Sequence, residues 1–420
     1  MTTISKLMSG GGTFSKIRKQ TPTVKILALV SLLSSATRYP VWIVLTLLLS
    51  SVYHTPFLII GVIFFLSSAI SFPFNILAGR IMDRIGRRTL SLIIPILISI
   101  TYFLLFYTAY RELQLIYIII ETVASTTLLS VQNVLINAIT TDMSIDQERL
   151  SAFSLIRVAA NAGVGIGLVI AGVMSLISPY VFFIVPVIAS IFEFYIFYRF
   201  VPESLNRVLE KLNTIKKKFT VHRDRLLVAV SIFMAISMLF ADQFEMPTLP
   251  LYLETYRHIT EFYITLIYGV NALVVILLQF RLNSIGERFG YIKSFSVGML
   301  LYAFSFLGFA ATGNLVLLAG NTAMLTVGEC LCNPFLSVTI SRISPANKRG
   351  EYFGFSSSLI GTIFPLGPLV GTIFLTYLFN PQILMWALFF AINASLAIIS
   401  LVARKSIKSR ERQLGNLSHS

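Results

Sequence analysis

Twelve apolar stretches, each about as long as a bilayer's hydrocarbon core is thick, leave this chain few ways to fold. They fall near residues 26–50, 57–79, 89–110, 114–138, 152–176, 180–200, 226–249, 261–282, 292–312, 315–338, 354–378 and 383–403. A core of about 30 Å needs roughly 20 residues of helix. In lipid every backbone N–H and C=O must be satisfied within its own segment, so each stretch predicts a helix rather than a strand or a loop. Only 12% of the 420 residues are charged and 56% are hydrophobic, whereas a soluble chain carries about 25% charged residues. The connections are short. They leave no room for a separate catalytic domain, so neither an enzyme nor a bound cofactor is expected. The chain reads as an all-α membrane protein of twelve transmembrane helices.

The net charge of +15 invites a nucleic-acid reading, which its distribution excludes. If the N-terminus is cytoplasmic, 29 of the 33 Lys and Arg lie in or next to the termini and the cytoplasmic connections. Of the rest, Arg111 and Arg257 lie in outside loops, and Arg38 and Arg157 lie inside spans. This asymmetry is the positive-inside signature and sets both termini on the cytoplasmic side of the plasma membrane. The basic residues then contact lipid headgroups. The first 25 residues are polar and basic, and the run beginning at Ile26 is too long for a cleavable signal, so span 1 acts as its own anchor. Cys330 and Cys332 sit inside span 10 and read as small packed residues rather than a disulfide or a metal site.

Six spans precede the basic connection 201–225 and six follow it, which divides the chain into a tail (1–25), a bundle (26–200), a linker (201–225), a second bundle (226–403) and a tail (404–420). The bundles echo each other. Asp83, Arg84 and Gly86 after span 2 match Glu287, Arg288 and Gly290 after span 8 at an offset of 204. Arg149, Phe153 and Gly167 match Arg349, Phe353 and Gly367 at an offset of 200. Two such echoes imply parallel, pseudo-symmetric six-helix repeats, one of the architectures of membrane transporters.

The connection Gly79-Arg80-Ile81-Met82-Asp83-Arg84-Ile85-Gly86-Arg87-Arg88 carries the functional argument. Gly79 and Gly86 permit tight turning. Asp83 suits a helix N-terminus such as that of span 3. A charged latch there, closed in one conformation and open in another, is a bistable element. The plain alternative is a positive-inside hairpin with no switching role. This loop resembles the signature of the major facilitator superfamily, and the resemblance extends from Arg38 to about Arg404. The glycines Gly163, Gly167 and Gly172 in span 5 are similar to those of the twelve-helix multidrug–proton antiporters, although Gly167-Leu168 replaces their Gly-Pro; Gly367-Pro368 in span 11 is closer. The resemblance implies two bundles rocking about a central site, with Asp83 and Arg87 in a relay to an acid at the end of span 4, where Asp142 stands.

Ionisable residues inside a span are costly and therefore functional candidates. Those here are Arg38, Glu121, Arg157, Glu193, Asp242, Glu245 and Glu329. Helical spacing groups Glu121 with Gln132, Met234 and Met238 with Asp242 and Glu245, and Glu329 with Asn333; Asn271 lies in span 8. Asp242, Glu245 and Glu329, with Glu121 next, are the candidate proton carriers, and Arg38 is expected to face one of them or to be neutralised by an acid across the bundle interface. Glu193 is expected to be structural. The resulting reading is a monomeric secondary transporter for a small, amphipathic or drug-like solute, proton-coupled and favouring efflux. Two alternatives stay open: a sugar or metabolite uptake system, and a non-transporting sensor on the same scaffold.

Overall fold

The computed structural model describes residues 20–144, 149–178, 180–204, 224–244, 246–345, 348–378 and 382–417. The middle of the basic linker, 205–223, lies outside them. Among the described residues all regular structure is helical. The helices are α1 (Pro22–Ser51), α2 (Phe57–Ile85), α3 (Arg87–Tyr110), α4 (Leu115–Met143), α5 (Arg149–Ser175), α6 (Ile184–Phe200), α7 (Arg225–Ala241), α8 (Thr248–Arg257), α9 (Glu261–Phe289), α10 (Tyr291–Ala311), α11 (Leu315–Cys332), α12 (Pro334–Ile343), α13 (Arg349–Ile363), α14 (Leu366–Tyr377) and α15 (Gln382–Leu417). Eleven helical segments are long and apolar enough to cross a membrane, and Arg225–Ala241 is a shorter apolar helix. By compactness the chain divides into a unit of residues 1–42 and 70–214 and a unit of residues 43–69 and 215–420.

In the first unit α3 shows why these helices suit lipid. Leu90, Ile94, Ile98, Tyr102 and Leu105 form one buried stripe, while Ile93, Ile96, Ile100, Phe103 and Tyr107 are exposed on the other side. A helix apolar all round is stable only where its outer face also meets a non-aqueous medium. Helix α5 presses against α1 through Gly163 and Gly167, where an added Cβ would collide with the backbone at Leu32 and Ala36. Such small-residue seams let helix backbones approach closely.

In the second unit α10 and α11 cross as tightly: a Cβ on Gly298 would lie 2.6 Å from the Gly328 carbonyl, and one on Gly328 2.7 Å from that of Gly298. Trp386 anchors an aromatic core, edge-on to Tyr252 at 4.9 Å and stacked on Phe306 at 5.9 Å. The seventh, tenth and eleventh spans are not continuous as the sequence suggests. The seventh is α7, a 3-10 turn Asp242–Phe244, then α8. The tenth breaks at Asn333-Pro334 and the eleventh at Phe364-Pro365. Proline has no backbone N–H to donate, and Pro247, Pro334 and Pro365 sit at or beside all three interruptions, while Asn333 and Phe364 before two of them keep right-handed helical dihedrals. Gln243 splints the first of them. Its Nε2 donates to the Leu239 carbonyl at 2.8 Å and to the Gly367 carbonyl at 3.1 Å, and its Oε1 accepts from Thr248 at 2.7 Å.

Candidate functional site

Two of the interrupted spans meet at a cavity of about 290 Å³ in the second unit. Asp242, the residue at which α7 ends, opens onto it with Met234 and Met238 from the same helix. Glu329 and Asn333 reach it from the break in span 10. Asn271 of α9 is bound beside it, donating to Glu329 at 3.0 Å and Thr326 at 2.9 Å. The remaining wall is Phe295, Met299 and Tyr302 of α10, three residues that sequence reasoning left out although their spacing puts them on one helical face. None of the described lining residues is basic. The cavity thus joins two carboxylates to a soft wall of methionine and aromatic side chains, which adapts to apolar ligands of varied shape. Glu245, grouped with this site by its spacing, lies outside the described residues.

The polar centre of the first unit has a different character. Arg38 is 2% exposed and Glu193 0% exposed, and their side chains pair at 2.6 Å. Arg38 also donates to Ser190 at 2.9 Å, Gln132 at 3.1 Å and Ser34 at 2.5 Å, and Gln132 donates to Glu193 at 2.9 Å. The acid that neutralises Arg38 therefore belongs to its own unit and to α6, instead of being one of the candidate proton carriers or an acid across the bundle interface. Glu121 stands apart on α4, accepting from Thr108 at 2.9 Å. Arg157 is exposed on α5.

At the basic end of the first unit, α2 runs straight through Gly79, Asp83 and Arg84 to Ile85. The turn is made at Gly86 alone, with φ +96°, a conformation that a side chain disfavours; a Cβ on Gly79 would meet no atom within 4 Å. Asp83 occupies the last turn of α2, at the helix C-terminus instead of near the start of span 3, and its side chain lies outside the described residues. Arg84 is exposed. The anion at the start of α3 is Glu203, which accepts from the Arg87 amide at 3.0 Å and the Arg88 amide at 3.2 Å. This satisfies donors that every helix start leaves open. The Arg87 guanidinium pairs with Asp142 at 2.8 Å, Asp142 accepts from Ser204 at 2.8 Å, and Arg88 donates to the Tyr198 carbonyl at 3.3 Å.

The second unit repeats the turn at Gly290, φ +89°, with altered chemistry. Tyr291 takes the position of Arg87, and Arg342 takes that of Asp142. The Arg342 guanidinium lies 4.8 Å over the Tyr291 ring, Tyr291 donates to Glu411, and Glu411 stands 3.7 Å from Arg342. Nearby, Asp224 caps α7 through the Leu226 and Leu227 amides, accepts from Tyr352 at 2.6 Å and pairs with Arg410 at 3.0 Å. Burial pulls the Asp224 carboxyl upward. The Tyr352 hydroxyl, the two amides and Arg410 together outweigh that effect and hold it below its ordinary range.

Transporters are among the solved structures similar to this chain. A nucleoside transporter, NupG, superposes with a TM-score of 0.74 over 91% of this chain and 99% of that one at 13% identity. A peptide transporter of the POT type reaches 0.73 over 92% and 95% at 13% identity, and a D-xylose-proton symporter 0.66 over 90% and 96% at 15% identity. Among curated sequences, the uncharacterized MFS-type transporter YqjV of Bacillus subtilis (strain 168) is 24% identical over 322 residues, 74% of this chain and 76% of the relative. A second from the same organism, YhjO, is 22% identical over 314 residues, with the same coverage. The model of the Major Facilitator Superfamily matches residues 27–244 and 232–417. With eleven apolar helices long enough to cross a membrane and a shorter twelfth among its described residues, the chain belongs to the major facilitator superfamily and is a multi-pass membrane transporter.

Proposed function

We propose that the protein is a secondary active transporter that exports a small amphipathic cation from the cell in exchange for protons, by alternating access. The observation that carries this reading is that Asp242 and Glu329 share one methionine- and aromatic-lined cavity whose described lining includes no basic residue. Carboxylates in such a wall favour a ligand that is both positively charged and apolar. A carboxylate holding a proton cannot also neutralise a cation, so competition between the two provides the coupling. The basic asymmetry supports a plasma-membrane protein with both termini in the cytoplasm. Under that topology the Arg87–Asp142 pair is a latch on the cytoplasmic side, closed while the site faces outward and broken when the bundles rock. The resemblance to a D-xylose-proton symporter supports a second reading, proton-coupled uptake of a metabolite.

Purified protein in liposomes with an imposed pH gradient tests both readings. Tetraphenylphosphonium added to the liposomes should dissipate the gradient, and Asp242→Asn or Glu329→Gln should each abolish the flux, while Glu121→Gln retains it. Coupling that is unchanged in both cavity variants sinks the assignment of the site. A gradient dissipated by neutral sugars or nucleosides, and not by the cation, selects uptake instead.

A further inference from the structure

The second unit contains a larger cavity, separate from the one lined by Asp242 and Glu329. It encloses about 470 Å³ at the basic end of the unit, between α9, α10, the two halves of span 10 and α15. Its wall is apolar at Leu282, Leu331 and Val338, and its polar lining includes Arg342, Lys408 and the Tyr291 ring. Outside it on α9, Ile285 and Phe289 point close to the direction of Leu282 and are 43% and 69% exposed. The space is far larger than a packing flaw, being many times the volume of a water molecule.

Among the described side chains, the charges around it do not close on themselves. In the first unit the equivalent turn is served by two carboxylates, Asp142 and Glu203. In the second, an arginine occupies the Asp142 position, and the described lining side chains include two cations and no acid. Among the described side chains Glu411 is the nearby anion, and it is divided between the Tyr291 hydroxyl and a 3.7 Å approach to Arg342. The Arg342 side chain is 54% exposed. Its guanidinium carbon lies 4.8 Å from the centre of the Tyr291 ring, and a guanidinium can donate two parallel hydrogen bonds to one phosphate.

We propose that this cavity binds an anionic phospholipid, with the headgroup phosphate between Arg342 and Lys408 and an acyl chain along Leu282, Leu331 and Val338. A basic pocket between helices at the membrane surface is where such a headgroup is found, and the apolar wall with its exposed α9 flank selects a lipid over a free anion. Bound there, the lipid ties α12 to α15 and supplies the negative charge that the first unit provides from its own chain.

Thermal unfolding of the detergent-purified chain provides the test, with dihexanoyl phosphatidylglycerol, dihexanoyl phosphatidylcholine and inorganic phosphate as separate probes. Phosphatidylglycerol should raise Tm in a saturable way, with the other two inactive at equal concentration. Losing one charge-assisted contact in Arg342→Gln should weaken the apparent affinity by about tenfold. Lys408→Gln, an exposed position that tolerates substitution, should weaken it by several-fold even if Arg342→Gln fails to fold. Lys405→Gln with Arg412→Gln, basic positions on the same helix outside the cavity, should leave it unchanged. An equal shift with phosphatidylcholine removes the charge selection, and an equal shift with inorganic phosphate replaces the lipid with a free anion. A full phosphatidylglycerol response in Lys408→Gln puts the site elsewhere. Each of these three results overturns the proposal.

Discussion

A guanidinium buried inside a membrane-spanning unit has to find an anion within reach, and Arg38 has Glu193 at 2.6 Å. Removing one partner of such a pair strands the other charge, which costs about 3–5 kcal/mol. Glu193→Ala is therefore expected to lower the unfolding temperature sharply, with Arg38→Met in the same chain recovering most of the loss; a mild effect of Glu193→Ala alone would mean that Arg38 is neutralised elsewhere. The partnership was not legible from the chain. Both residues are visible as ionisable groups inside spans, but they are separated by 155 positions, and nothing in their spacing joins span 1 to span 6. Glu203 was obscured for a related reason. Its position after span 6 reads as loop, and only the fold brings it to the start of α3. Truncating a cap of this kind costs about 1 kcal/mol, so Glu203→Ala should lower stability modestly, and Glu203→Asp should recover part of that, measured by the same unfolding assay.

Helices respond to their glycines according to what lies opposite. Gly167 faces the Ala36 carbonyl with no room for a side chain, whereas a Cβ on Gly79 would meet nothing. Gly167→Val is expected to force α5 off α1 and to abolish folded yield in fluorescence-detected size exclusion. Gly79→Ala should leave that profile unchanged. Sequence spacing marked both glycines, but it cannot say which of them has a neighbour. The breaks in the spans were partly legible. The Gly367-Pro368 motif predicts special geometry in span 11, yet the chain actually leaves the helix at Phe364-Pro365, and Gly367 instead offers its carbonyl to the Gln243 side chain. The seventh span reads as one continuous apolar stretch because its residues remain apolar up to the turn at Asp242.

Across the molecule, α15 extends well past its apolar portion, and its end reaches back to the second unit through Arg410 and Glu411. The Asp224 carboxyl is held below its ordinary range in the fold. It therefore contributes stability that is complete above the unfolded value of about 3.9 and is lost as pH falls toward the folded value. Tm measured against pH should show this acid loss in the parent chain, and it should be diminished in Asp224→Asn and in Arg410→Gln. The series of apolar spans and the paired turns at Gly86 and Gly290 were legible, because each is a repeated signal. The different wiring of the second turn was not, since Tyr291, Arg342 and Glu411 acquire meaning only once the last helix folds back. Glu203 and Ser204 also stand where the chain leaves α6 toward residues 205–223, and both are fastened to the turn after α2 or to Asp142. They act as a cable clamp does, fastening the end of α6 through bonds that residues 205–223 take no part in. A fluorescent protein spliced into the linker near residue 212 should accordingly leave the melting temperature of the host chain where it was.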